Sequence, residues 1–163
     1  MGQETYSWYG LLGRDLGDDP VGAVLSKYTK FDLGSRKRSP FWNAVRKLRR
    51  RLGRPDEPIG LAWSNLYPCD QNQKRPDEPL GESLLGSGTL PREVKILAPD
   101  AVVFLTGPHY DGAIRRLFPA VEFVETGAPP AQKVHRVGHP DLPAGSFRTY
   151  HPGYLNSSTV RDT

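Results

Sequence analysis

Residues 151–156, His-Pro-Gly-Tyr-Leu-Asn, put an imidazole into a turn that would hold it still. Pro152 fixes its own φ and biases His151 toward extended backbone. Gly153 lets the main chain come close to a partner. Just upstream, Ser146-Phe147-Arg148-Thr149-Tyr150 reads as a short strand, so the expectation is a rigidly placed imidazole at a strand end. Tyr154 and Leu155 would then project from the loop beyond it, and an exposed leucine in such a place suits a wedge. An ordinary surface turn is the alternative. Asn65 is a second candidate, a polar residue near the end of the apolar run Ile59-Gly60-Leu61-Ala62-Trp63-Ser64-Asn65-Leu66. A buried amide needs partners or it costs a few kcal/mol. At the carboxyl end of a parallel strand those partners are often a ligand. The amide both donates and accepts, so it can serve a ligand; capping of a neighbouring loop is the other reading. His139-Pro140-Asp141-Leu142 also offers His-Pro and a leucine, but the spacing is one residue short and its acid would oppose a phosphate.

These residues need elements to position them. Ser39 at an N-cap, Pro40 at the first helical position and Gly53 at the end predict a helix between them. Phe41, Trp42, Val45, Leu48 and Leu52 form its core stripe, with the basic side chains turned away. Val21–Leu25, after Asp18-Asp19-Pro20, predicts a short helix, with Tyr28 and Phe31 in a loop beyond it. Residues 68–92 read as irregular. Pro91–Leu97 and Asp111–Leu117 predict helices; Ile59–Leu66, Ala101–Leu105, Val121–Val124 and Val134–Val137 predict strands. The alternation implies an α/β three-layer sandwich, α/β/α, around a short, mostly parallel sheet, with residues 1–163 as one domain.

Charge is concentrated rather than spread. Nine basic residues and no acidic one lie between Arg36 and Arg54, beginning with Arg36, Lys37 and Arg38. The remaining chain carries 13 basic against 18 acidic residues, a net −5. Such a segment suits a polyanion, nucleic acid above all, although a solvated helix face would look similar. Cys69 is the only cysteine, so an intrachain disulfide and a four-cysteine cluster are excluded and a reducing, cytoplasmic setting fits. The four histidines show no metal-ligand spacing, and no metal or cofactor is expected. No apolar run is long enough to cross a membrane and no export leader opens the chain, so a soluble monomer is expected.

The His-Pro-small-x-Leu spacing of residues 151–155 resembles the DNA-intercalation loop of the uracil-DNA glycosylase superfamily. The opening Gly2-Gln3-Glu4-Thr5-Tyr6 resembles the water-activating motif of the same superfamily, usually Gly-Gln-Asp-Pro-Tyr-His, and Asn65 matches its base-reading asparagine. The resemblance implies that Glu4 and His151 are catalytic and that Gln3, Tyr6 and Asn65 face the base. It places Tyr28 or Phe31 as a stacking aromatic, although a core contact accounts for either. Gly153, Tyr154 and Leu155 would meet DNA. The departures are Glu4 for aspartate, Thr5 for proline, Ser7 for histidine, and only Met1 where the family has a first strand.

That resemblance implies a mechanism. A duplex base must be flipped out before it can be attacked, and Leu155 with Tyr154 would fill the space it leaves. Glu4 would stabilise the sugar cation and orient water; His151, as a neutral donor, would stabilise the departing base. The product is an abasic site in duplex or single-stranded DNA. The base is either a modified cytosine, such as glucosylated hydroxymethylcytosine in phage DNA, or uracil. Two rivals remain: a non-catalytic DNA-binding module on the same fold, and a small-molecule nucleotide hydrolase.

Overall fold

The computed structural model describes residues 1–3, 18–31, 39–53, 60–127 and 134–155, the side chains of Lys27, Tyr28 and Leu155 excepted. Helix α1 spans Pro20–Thr29 and opens on Asp19, whose carboxylate accepts from the Gly22 N–H at 2.8 Å. It runs further than the sequence predicts and takes in Tyr28, which was expected in a loop. Helix α2, Pro40–Leu52, has the expected bounds. The Ser39 hydroxyl caps the Trp42 N–H, and the Gly53 N–H closes the far end on the Arg49 carbonyl at 3.0 Å. Arg49, Arg50 and Arg51 fall in its last turn, where cations complement the helix dipole. Its core stripe stops short of Leu52, which is 62% exposed.

Helix α3, Glu78–Gly86, lies in the stretch read as irregular. Asp77 caps it by accepting from the Leu80 N–H at 3.3 Å, and proline in the first turn needs no donor there. Helix α4 covers Thr89–Leu97 and closes through Ala98, a left-handed residue ahead of Pro99. Strand β1 is Val103–Leu105, a 3₁₀ turn covers Pro108–Tyr110, and α5 is Asp111–Leu117. Strands β2 (Glu122–Glu125), β3 (His135–Gly138) and β4 (Phe147–Thr149) follow, then a one-turn helix α6, Pro152–Leu155.

The strands form a mixed sheet in the order β1-β4-β3-β2. β1 and β4 are parallel, with Phe104 opposite Arg148, while β4–β3 and β3–β2 are antiparallel. The expected mostly parallel sheet is thus corrected to a mixed one, because β2 and β3 return as a hairpin on its edge. Two extended segments continue the parallel direction beyond β1. Met1 brackets β1 through hydrogen bonds to Val103 and Leu105, and Gly2 bridges Asn65 in parallel. Residues 1–3, the start of the Gly-Gln motif included, therefore lie between β1 and the segment around Asn65. Of the expected strand Ile59–Leu66, Ile59 lies outside the described residues and the rest is not a strand: residues 60–62 are exposed, and regular pairing is confined to the bridge at Asn65.

Side chains on β1 alternate, as a strand requires. Phe104 enters the larger core cluster with Leu85, Val94, Ile114 and Phe118, from α3, α4 and the α5 region. Leu105 enters a second cluster with Trp42 and Val45 of α2, and Val103 packs on it. The result is an α/β fold.

Candidate functional site

Four extended segments, 64–67, 1–3, β1 and β4, run in one direction, so their carboxyl ends share an edge. Gln3, the Thr106-Gly107 pair and the Tyr150-His151 pair sit on that edge, the kind of place where α/β sheets bind ligands. The Gly107 N–H donates to the Thr149 carbonyl at 2.9 Å and ties two of the ends together. Gly107 has φ +73° and ψ 173°, a conformation that suits glycine, and a β-carbon there would stand 3.2 Å from the Tyr150 ring.

The two His-Pro turns prove to be built alike. In each, the N–H two residues on donates to the histidine Nδ1 at 3.1 Å, from Asp141 to His139 and from Gly153 to His151. Nδ1 is then an acceptor, and the proton of the neutral ring sits on Nε2. At His139 that Nε2–H is consumed by the Pro119 carbonyl at 3.0 Å, with the ring edge-on to Phe118. His139 is structural. His151 Nε2 has no hydrogen-bond partner among the described residues, and its half-buried ring stacks on Phe41 at 5.6 Å and 16°. Burial pulls the His151 pKa below its ordinary value, which favours the neutral donor.

His151 thus rests on the first turn of the basic helix, and α2 packs against α6. Lys47, Arg49, Arg50 and Arg51 are exposed on α2. The loop expected after His151 is corrected: Gly153, Tyr154 and Leu155 form α6, with Pro152 at its start and the Tyr154 N–H on the His151 carbonyl at 2.9 Å. Pro152 has the φ of a first helical residue, which explains the turn of helix. Tyr154 is 51% exposed and stacks on Tyr150 at 4.6 Å.

Asn65 lies against Gly2, where a β-carbon would overlap its Oδ1, so a larger residue at position 2 would push the Asn65 amide aside. The neighbouring Ser64 hydroxyl donates to Glu93 of α4 at 2.6 Å. Asn65 lines a small pocket with Ser64, Leu66, Thr89 and Glu93, about 20 Å³ and roomy enough for one water. Neither Gln3 nor His151 lines it. The Gln3 amide donates to the Thr106 carbonyl at 3.0 Å, and the buried Thr106 hydroxyl has no partner among the described residues. Phe31 is half-buried and packs on Trp42 at 4.8 Å and Trp63 at 5.7 Å. Trp63 in turn lies beside Gly2, so one aromatic cluster joins the surroundings of Asn65 to those of His151.

Glu4, Tyr6, Arg36, Lys37 and Arg38 lie outside the described residues, as do the side chains of Tyr28 and Leu155. Among the described residues no group of His, Cys, Asp and Glu is gathered to hold a metal ion, and no helix is long and apolar enough to cross a membrane. Sequence reasoning missed Phe41 as the support of His151, and Thr106, Gly107 and Tyr150 at the strand ends. The Thr-Gly-Pro that follows an apolar strand was the available signal for the second group. No family model matches the chain, and neither a curated protein nor a solved structure does.

Proposed function

We propose that the chain is a monofunctional DNA glycosylase of the uracil-DNA glycosylase type, acting as a monomer. It flips out a pyrimidine nucleotide, hydrolyses the N-glycosidic bond and leaves an abasic site. The observation that carries the reading is His151. Its neutral Nε2–H has no acceptor among the described residues, and it stands at the carboxyl end of a parallel strand, on the first turn of a helix rich in arginine. Departure of a base puts negative charge on its ring, and a preorganised donor aimed at that charge is worth about 3 kcal/mol. The basic face of α2 would hold phosphates nearby, and Tyr154 with Leu155 would enter the vacated stack. Glu4, one residue beyond Gln3, would serve the sugar cation and the water. The two core clusters that β1 feeds, one from each face, support a three-layer arrangement.

A second reading is favoured by the pocket beside Asn65, which has room for one water and lacks Gln3 and His151. It is that of a DNA-binding module without catalysis. Uracil-containing, unmodified and glucosylated-hydroxymethylcytosine DNA, incubated with the protein and then heated in alkali, separate the two. With the glycosylase, alkali breaks the uracil or the glucosylated DNA at its abasic sites and spares unmodified DNA. Intact strands in all three, with binding retained, leave the module.

A further inference from the structure

The segment between Tyr67 and α3 is locked although its composition is that of a loop. Gln71 and Lys74 exchange backbone hydrogen bonds of 2.9 and 3.0 Å around Asn72 and Gln73, both left-handed with φ 52° and 60°. The Gln71 side chain holds Asp77 twice, accepting from its N–H at 2.8 Å and donating to its carboxylate at 3.1 Å. Arg75 leaves this turn and lays its guanidinium over two rings, Tyr67 at 5.6 Å and Tyr110 at 5.4 Å. One N–H reaches the His109 carbonyl at 3.4 Å.

Arg75 is nevertheless exposed. Among the described residues no carboxylate pairs with it, and the rest of its planar fork has no protein acceptor. The nearby Asp77 is already occupied by the α3 N-terminus and by Gln71. An arginine fixed on two aromatic faces has given up its rotamer freedom in advance, which lowers the cost of binding, and its fork matches the oxygens of a phosphate.

Position gives the partner. Tyr67 and Tyr110 belong to the core cluster on the α3–α5 face of β1, whereas the basic helix α2 belongs to the cluster on the other face. The turn that ends at Tyr110 begins at Gly107, against Tyr150. Arg75 and α2 therefore flank the edge that carries His151 from opposite faces of the sheet.

We propose that Arg75, with the exposed Lys74 beside it, is a phosphate-binding site for the DNA strand, on the far side of the site from α2. The inference rests on the DNA reading above. Its test is the salt dependence of binding by the full chain to a short labelled duplex of unmodified DNA. Loss of one phosphate contact lowers the slope of log K against log salt by about 0.9. Arg75→Gln should show that loss with its thermal midpoint kept. A slope equal to wild type overturns the proposal, whatever happens to the midpoint, since a purely structural clamp changes stability and not the counterion count. Should Arg75→Gln fail to fold, phenylglyoxal modification of the wild type decides: the duplex protects Arg75, or, if Arg75 reacts equally with and without DNA, the site is refuted. Salt-independent or absent binding by the wild type would remove the DNA reading itself, a result distinct from an unchanged slope in a chain that binds.

Discussion

Asp111→Ala tests how β4, the strand that delivers His151, is anchored. Arg148 lies on β4 three residues before His151 and is 2% exposed. Its guanidinium meets the Asp111 carboxylate at the start of α5 at 2.8 Å and lies over the Phe123 ring at 5.4 Å. Burial pushes the Asp111 carboxyl up, and Arg148 pulls it part of the way back. Removing one partner of a buried pair costs about 3–5 kcal/mol, because the other charge stays buried. The Asp111 side chain is 22% exposed, so water softens the loss toward the lower end of that range. For a domain of this size each kcal/mol moves the midpoint by about 2–4 °C, and Asp111→Ala should melt about 6–12 °C below wild type by calorimetry. Replacing both charges, as Asp111→Leu with Arg148→Met, should recover most of that. A single variant melting within about 2 °C of wild type would refute the reasoning, as would a double variant no better than the single one.

Four further outcomes follow from the site. Phe41→Ala uncovers the His151 ring, so its pKa should climb back toward 6.5 in an NMR titration; an unchanged value would mean that other groups exclude the water. Because the folded His151 resists protonation, the unfolded chain takes up its proton first as pH falls below about 6.5. Stability should therefore decline with acid in that window, and His151→Phe should remove this part of the decline in denaturant melts. Base release should persist through pH 6.5 and fail only at lower pH, whereas activity that rises on acidification would make the imidazolium the working form. Gly2→Ala drives a methyl into the Asn65 amide, so discrimination among pyrimidines should weaken more than binding to DNA, read from competition with unmodified oligonucleotides.

Local signals were legible where they were self-contained. Ser39, Pro40 and Gly53 bound α2 because each acts on its own backbone. The same kind of signal stood at Asp77-Glu78-Pro79 ahead of α3, but the Gln, Asn and Pro around it obscured it. The run 59–66 looked like a strand because apolarity mimics burial. Its paired neighbour in the structure is the segment Met1–Gln3, and the described pairing there is one bridge, Gly2 with Asn65. His139 and His151 differ by where the second ring nitrogen points, which is a tertiary fact: Pro119 meets one, and Phe41 supports the other. Arg75 was illegible for the same reason, since its two rings and its carbonyl come from segments far apart in the chain.

The measurement closest to the central claim is mass-spectrometric detection of free base after incubating the protein with DNA that carries uracil or glucosylated hydroxymethylcytosine. Wild type should release one of these bases, and His151→Ala should release it about 10²–10³-fold more slowly, the typical loss for one such donor, while still binding the DNA. Release that is equally fast without His151, or no free base from either DNA, would contradict the account.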